Sequence, residues 1–237
     1  MAGIGEHNGV MSELEILPLT RERLPDLAAL FGMGGDPKWC WCASFRVRGM
    51  DFTNADVAAN RRVLERAVET TATERRAPGL IAYRDGAPIG WVSVGPRDDY
   101  ERLQHSRVLA PVDDRPTWSI VCFVVARTAR RQGVAEAMLA AACQYAAEHG
   151  AALIEGYPVD TGGARIASAN AYMGTLGMYE RAGFTEVERR RANRTSAERP
   201  IMRLALSAEE LRDGRMLSVR PEGHRDRGTR PASSRST

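Results

Sequence analysis

The chain has 237 residues, of which 43% are hydrophobic and 27% are charged, a balance typical of a soluble globular protein. It contains no run of about 18 consecutive apolar residues, which excludes a membrane-spanning helix, and its polar start does not resemble a secretory signal, so we expect a cytoplasmic location. A formal net charge of +3 is too small to predict nucleic-acid binding, and four cysteines are too few for a disulfide framework.

The first part of the chain predicts a strand, two helices and a hairpin. Alternating apolar residues indicate a strand over 13–19, and Thr20 can cap a helix whose apolar residues recur at helical spacing. A second helix is predicted over 54–70, with its apolar residues on one side. Two strands, 79–83 and 88–94, flank a turn that contains Asp-Gly and predict the β-hairpin.

The rest of the chain predicts a buried strand followed by further helices and strands. Residues 118–125 (WSIVCFVV) are almost continuously apolar, which is typical of a central strand buried on both faces. A helix over 133–149 follows, and another is predicted over 167–182 despite Gly174 and Gly177. Further strands are predicted over 152–156, 185–190 and 200–206.

The distribution of apolar residues predicts one α/β domain over residues 13–206. Residues 1–12 are expected to form a flexible N-terminal arm. Residues 207–237 are rich in arginine and poor in large apolar side chains, which predicts a basic, disordered C-terminal tail. No internal repeat is visible, which argues against a solenoid.

The segment Arg130-Arg131-Gln132-Gly133-Val134-Ala135 lies between the buried strand and the long helix that follows it. The first N–H groups of a helix have no partner within it and lie at the positive end of its dipole, so they can bind a pyrophosphate. The small residues Gly133 and Ala135 allow the phosphates to approach closely. The spacing is neither that of a P-loop nor that of a dinucleotide fold, and a solvated turn that simply carries two arginines is the alternative.

In this context the chain resembles the GNAT superfamily of acyl-CoA-dependent N-acetyltransferases. The pyrophosphate loop of that family follows the fourth strand and reads Gln or Arg, two variable residues, Gly, one variable residue, and Gly or Ala; Arg130, Gly133 and Ala135 match it. A second signature, a Tyr followed by a Gly-Phe pair, is matched by Tyr179-Glu180-Arg181-Ala182-Gly183-Phe184. The chain departs from the family at Tyr172, where an Asn that contacts pantetheine is common.

The resemblance implies a mixed, mostly antiparallel central sheet of about six to seven strands, flanked by helices, with the fourth and fifth strands splayed apart to admit acetyl-CoA. The strand backbone at Phe123–Val125 would then face the pantetheine arm, although a plain buried strand is compatible with the same residues. The implied donor-binding residues are Phe123, Val124, Val125, Arg130, Arg131, Gln132, Gly133, Val134, Ala135 and Glu136.

Acyl transfer to an amine needs a proton acceptor, because only the neutral amine attacks a thioester and its pKa is about 10.4. Glu155 is an acidic residue in an apolar strand, where burial would raise its pKa, and some family members use a Glu on this strand as the base. A salt-bridged strand end is the alternative for Glu155. The resemblance assigns protonation of the departing CoA thiolate to Tyr179, which could otherwise be a core residue, and the N–H of Val125 could polarise the thioester oxygen.

The sequence gives weaker indications of the residues that bind the acceptor amine. The rings of Trp39 and Trp41 could hold an ammonium group by cation–π contact, although a hydrophobic plug under a loop fits them as well. Tyr157 and Asp160 follow the fifth strand and are candidates for substrate contact, against an ordinary loop. The spacing Cys40-x-Cys42 is not that of a metal site, and no histidine completes one, so no metal is expected.

The sequence therefore predicts an N-acetyltransferase that moves an acetyl group from acetyl-CoA to an amine by direct attack in a ternary complex. A small-molecule amine, such as an antibiotic or a metabolite, is the first expectation for the acceptor. A protein lysine or N-terminus is the second, and a non-catalytic acyl-CoA-binding module is the rival from another class. No membrane or nucleic-acid partner is expected, and a homodimer is compatible with the resemblance.

Overall fold

Seven strands form one sheet in the computed structural model, which describes residues 13–162, 164, 167 and 171–207. In chain order the strands are β1 (Leu14–Pro18), β2 (Gly79–Arg84), β3 (Ala87–Pro96), β4 (Trp118–Val125), β5 (Leu153–Gly156), β6 (Thr185–Arg190) and β7 (Arg199–Ala205). Their order across the sheet is β1-β2-β3-β4-β5-β7-β6. All neighbours are antiparallel except β4 and β5, which are parallel, and this confirms the predicted mixed sheet.

The helices flank the sheet, and two of them are long. They are α1 (Leu24–Gly32), α2 (Pro37–Cys40), α3 (Gly49–Asn54), α4 (Val57–Thr73), α5 (Glu101–His105), α6 (Val134–Glu148) and α7 (Leu176–Arg181). The start of α4 is capped by Asp56, whose carboxylate accepts a hydrogen bond from the Ala59 N–H at 2.7 Å. No helix within the described ranges has the length and apolar character needed to cross a bilayer.

The predicted helix over 167–182 is wrong in the part of its first half that the structure describes. Residues 171–175 are not helical, and α7 begins only at Leu176. Gly174 has a φ of +83° and Thr175 is extended, so the chain turns here before the helix starts. The short helices α2, α3 and α5 were not predicted either, because so few residues carry no clear periodicity.

Residues 163, 165–166 and 168–170 lie outside the described residues. So do the predicted N-terminal arm, 1–12, and all of the predicted C-terminal tail except Ser207.

Helix α6 packs against the central strands, and the residues at this contact are small where the two come closest. The Ala-rich sequence of α6 buries Met138, Leu139 and Ala142 completely. A Cβ at Gly90 of β3 would lie 2.8 Å from the Met138 sulfur, so the glycine lets this side chain pack closely where the helix crosses the sheet. This contact holds the start of α6 beside the end of β4.

Strands β4 and β5 separate soon after they begin to pair. Only the first three residues of β4, Trp118–Ile120, lie opposite β5, which ends at Gly156. The remainder of β4 pairs with β3 on one side and has no β5 partner on the other. The expected splay between the fourth and fifth strands is therefore present, and it exposes one backbone edge of β4.

Gly156→Ala is expected to destabilise the protein, because a Cβ at this position would overlap the Tyr179 ring and its hydroxyl. Overpacking of this kind costs about 1–3 kcal/mol, and urea denaturation would measure it. Gly32→Ala is the control, since nothing lies within 4 Å of the added Cβ in helix α1. Equal stability of Gly156→Ala and the wild type would contradict the packing described for Tyr179.

Candidate functional site

The splay opens into a large cleft of about 1670 Å³. Five parts of the chain line it: the segment from α1 to α3, α5 through Arg102, the end of β4, the loop that leads into α6, and the segment before and within α7. The predicted site residues that line the cleft are Trp39, Phe123, Val124, Val125, Arg130, Arg131, Gly133, Val134, Ala135, Glu136 and Asp160. Those that lie outside its lining are Trp41, Gln132, Glu155, Tyr157 and Tyr179.

The loop before α6 presents backbone N–H groups to the cleft. Arg131 and Gly133 both have positive φ, +62° and +75°, and turn the chain into the helix. The first hydrogen bond of α6 runs from the Ala137 N–H to the Gly133 carbonyl at 3.0 Å, so the N–H groups of residues 134–136 lie before any helical bond. Consecutive N–H groups at the positive end of a 15-residue helix form an anion site.

The N–H groups of Phe123 and Val125 lie on the exposed edge of β4, and that of Phe123 already has a hydrogen-bond partner. The N–H of Phe123 donates to the Tyr172 carbonyl at 2.6 Å, whereas the N–H of Ala126 donates to the Ile89 carbonyl, on the β3 side. Backbone groups of alternate residues point to the same edge of a strand, so Val125 presents its N–H and carbonyl to the cleft, as Phe123 does. The Val125 carbonyl accepts a hydrogen bond from Arg130 Nε at 3.1 Å, and the Val125 N–H has no backbone partner within the described residues.

Tyr179 lies one layer behind the cleft, with a buried hydroxyl that has no hydrogen-bond partner within the described residues. Phe184 packs edge-on against its ring at 4.9 Å, and the absence of side chains at Gly156 and Gly174 makes room for that ring. Burial raises the pKa of Tyr179 well above its usual value, so the hydroxyl stays protonated. An unpaired buried donor is costly, so this hydroxyl is free to donate a further hydrogen bond.

Glu155 is part of a buried ion network and does not face the cleft. Its Oε1 accepts hydrogen bonds from Arg203 Nε and Nη2 at 3.0 and 2.6 Å, and its Oε2 lies 3.5 Å from Arg97 Nη1. Arg203 also pairs with Asp113 at 2.6 Å, which lowers the pKa of that carboxyl group. With 1% of its surface exposed, Glu155 has the geometry of the salt-bridged strand residue rather than of a base in contact with substrate.

Tyr157 belongs to the same network, whereas Asp160 belongs to the cleft. The hydroxyl of Tyr157 donates to Glu155, accepts from Arg97 at 2.7 Å, and lies 2.9 Å from Ser119 Oγ. Tyr157 is fully buried, so it supports β5 from within the core. Asp160 pairs with Arg189 at 2.7 Å, and this contact lowers the pKa of its carboxyl group.

The structure separates the two tryptophans of the Trp-Cys-Trp-Cys segment. Trp41 is buried, packs edge-on against Phe31 at 5.3 Å, and has the Arg61 guanidinium over its ring at 5.2 Å. Trp39 is 43% exposed, lines the cleft and contacts Phe52 edge-on at 4.7 Å. The two rings therefore do not form one cage, and Trp39 alone faces the cleft.

Several cleft residues were not expected from the sequence, because each comes from a different element. They are Met33, Phe52, Arg102 and Tyr172, together with Cys42 and Cys122, whose sulfurs lie 3.2 Å apart. The hydrogen bond with Cys122 and burial raise the pKa of Cys42, so this thiol stays protonated. Among the described parts of the chain, no group of three His, Cys, Asp or Glu side chains is arranged to hold a metal ion.

Comparisons with known proteins agree with this geometry. The family model for the GNAT acetyltransferases matches residues 50–184, which is more than half of the chain. A search of curated proteins gave no match.

Solved structures share the fold at low sequence identity. The polyamine N-acetyltransferase of Drosophila melanogaster, which forms N-acetylagmatine, aligns with a TM-score of 0.53 and 11% identity over 82% of this chain and 100% of that chain. A putative GNAT acetyltransferase from Desulfovibrio desulfuricans aligns with a TM-score of 0.49 and 17% identity over the same shares of the two chains. The NatC complex bound to Gag peptide and CoA includes a chain that aligns with a TM-score of 0.47 and 16% identity, over 82% of this chain and 99% of that one.

Glu155→Gln is expected to lower the free energy of unfolding by about 3–5 kcal/mol, because it leaves buried arginine charge without its partner. Glu65→Gln is the control, since Glu65 forms a partly exposed pair with Arg61 one helical turn away, and such pairs contribute about 0–1 kcal/mol. Chemical denaturation of both variants would measure the difference. Equal losses would show that the Glu155 network does not stabilise the fold.

Proposed function

The chain belongs to the GNAT family of acetyltransferases, and we propose that it transfers an acetyl group from acetyl-CoA to a small-molecule amine in a ternary complex. The observation that carries this proposal is that one cleft contains two features that suit acetyl-CoA. The N–H groups at the start of α6 suit a pyrophosphate, and the exposed edge of β4 beside them suits an extended, amide-containing chain. A pantetheine arm joined to a pyrophosphate has both parts.

The residues of this chain would hold the donor mainly through backbone groups. The N–H groups of residues 134–136 bind the pyrophosphate, and the side chains of Arg127 and Arg131, which also line the cleft, add positive charge. The N–H of Val125 points to the open edge of β4, where it donates to the thioester carbonyl or to the arm behind it. Acetyl-CoA supplies the activated acyl group.

Tyr179 is the proposed general acid. When the amine nitrogen bonds to the acyl carbon and the carbon–sulfur bond breaks, the departing thiolate takes a proton from the Tyr179 hydroxyl. One feature of the site supports this role: the hydroxyl has no partner within the described residues, so its proton is not committed to another group.

Glu155 takes a positioning role in this proposal, in place of the role of base. Its carboxylate is committed to Arg203, Arg97 and Tyr157, so it has no free oxygen directed at an acceptor. The network instead holds β5, and with it the backbone at Gly156 against which Tyr179 packs. The proton of the attacking amine leaves to solvent in the open cleft.

The acceptor end of the cleft supports a small amine as the first candidate. Trp39, Phe52 and Tyr172 line the cleft with aromatic surface, which suits a compact acceptor with an apolar body. A protein lysine or N-terminus is the second candidate, and a screen in which peptides are acetylated and small amines are not would establish it. Binding of acetyl-CoA with no acetylation of either would support the non-catalytic alternative.

Acetyl-CoA and CoA are expected to raise the melting temperature, and ATP and NAD are not. A ligand at about 100 times its Kd adds about 2.7 kcal/mol to the free energy of unfolding. Arg131→Gly should keep most of this shift and lose only the part due to the side-chain charge, because glycine adopts the φ of +62° found there and retains the N–H. Arg131→Pro should lose it, because proline fixes φ near about −65° and has no N–H.

The melting temperature of each Arg131 variant without ligand is the control for folding. Equal loss of the shift in Arg131→Gly and Arg131→Pro would assign the binding to the arginine side chain rather than to the backbone. No shift with CoA in the wild type would contradict the donor site.

Tyr179→Phe is expected to lower kcat by about 100- to 10,000-fold, with the Kd for acetyl-CoA unchanged. The fold should be at least as stable as the wild type, because the lost hydroxyl has no partner within the described residues. Tyr157→Phe is the matched control: its hydroxyl bonds to Arg97, Ser119 and Glu155, so the variant should lose about 1–3 kcal/mol of stability. Unchanged turnover in Tyr179→Phe would contradict the acid role.

A further inference from the structure

Arg102 and Arg199, two arginines near the cleft that lie outside the loop before α6, have no carboxylate partner within the described residues. Arg102, on α5, lines the cleft, and its guanidinium lies over the Phe45 ring at 5.1 Å. Arg199, at the start of β7, donates only to the carbonyls of Tyr157 and Pro158, at 3.3 and 3.1 Å.

Four acids line the cleft, Asp36, Glu136, Asp160 and Glu180, and two of them, Glu136 and Asp160, are already engaged with other arginines. Glu136 pairs with Arg181 at 3.1 Å, and Asp160 pairs with Arg189 at 2.7 Å. Neither carboxylate is therefore free to neutralise Arg102 or Arg199.

A chain of contacts places Arg102 away from the anion-binding loop. Arg102 lies over Phe45, the Phe45 ring is 6.4 Å from that of Tyr172, and the Tyr172 carbonyl accepts the Phe123 N–H. The loop before α6, which would bind the pyrophosphate, begins after Val125, at the other end of the exposed edge of β4. Arg102 therefore belongs to the acceptor end of the cleft, on the far side of the position proposed for the acyl group.

Arg102 and Arg199 both contribute positive charge to this end of the cleft. Burial lowers the pKa of Arg199, Tyr172 acts in the opposite direction, and the charge of Arg102 adds to the lowering. An arginine fork that is held against an aromatic ring and has no acidic partner is suited to bind a carboxylate from outside the protein. Trp39 and Phe52, which contact each other in the cleft lining, offer apolar surface for the rest of such a molecule.

We propose that the acceptor is an amine that carries a carboxylate, of the class of amino acids with apolar or aromatic side chains, and that Arg102 binds the carboxylate. This inference rests on the acetyltransferase function proposed above. Arg199 reinforces the positive potential behind Arg102, and Arg102 determines specificity without taking part in bond making or breaking.

The test compares matched amines that differ only by the carboxylate: phenethylamine with phenylalanine, and tyramine with tyrosine. CoA release from acetyl-CoA gives kcat/KM for each. The carboxylate-bearing member of each pair is expected to be the better acceptor by about 10- to 100-fold, the range for hydrogen bonds to a charged group. Arg102→Ala should remove this preference by raising KM for the amino acid, with the KM for acetyl-CoA unchanged, and Arg102→Glu should reverse the preference.

Arg48→Ala is the matched control. Arg48 pairs with Glu101, the neighbour of Arg102 on α5, at 3.1 Å but does not line the cleft, so its loss should leave the preference intact. Equal use of both members of each pair, or a preference that survives in Arg102→Ala, would overturn the acceptor inference and leave the acetyltransferase function standing. Stabilisation by acetyl-CoA without acetylation of any of these four amines would overturn the acceptor inference alone, whereas the absence of acetylation of small amines and peptides alike would overturn the acetyltransferase function as well.

Discussion

The separation of β4 from β5 is the constraint on which the rest of the site depends. The two strands pair over only three residues of β4, and beyond them one edge of a central strand carries backbone groups that the sheet does not use. Buried backbone groups without partners are unfavourable. The Tyr172 carbonyl satisfies one of them, the Phe123 N–H, and the Val125 N–H, which has no backbone partner within the described residues, faces the cleft.

The packing at the end of β5 explains how the strands are kept apart. The Tyr179 ring lies where side chains at Gly156 and Gly174 would otherwise be, and it is close to the Phe123 ring beside Gly174. Behind this wedge, Glu155, Arg203 and Arg97 join β5 to β7 and to the segment after β3. The hydrogen bonds in this buried ion network are directional, so they hold β5 in one position relative to β7 more closely than apolar packing alone would.

The two ends of the cleft present different positively charged or polar groups to a ligand. The start of α6 offers N–H groups and the positive end of a helix dipole, whereas Arg102 and Arg199 make the opposite end positive through side chains. Both ends therefore attract anions, with aromatic surface from Trp39, Phe52 and Tyr172 near the second. A donor with a pyrophosphate and an acceptor with a carboxylate would each find a separate site.

The sequence by itself determined the strands, the two long helices and the turn between β4 and α6, because these depend on local periodicity and on the residues next to one another in the chain. It could not determine that Glu155 and Tyr157 face a buried ion network, since their partners Arg97 and Arg203 lie about 50 residues away in either direction. The sequence also could not show that Trp39 lines the cleft while Trp41 is buried. Their positions depend on the left-handed backbone at Trp41 and Cys42. The acceptor end was decided by the tertiary structure alone: Phe45, Arg102, Tyr172 and Arg199 come from four distant segments, and only the folded sheet brings them together.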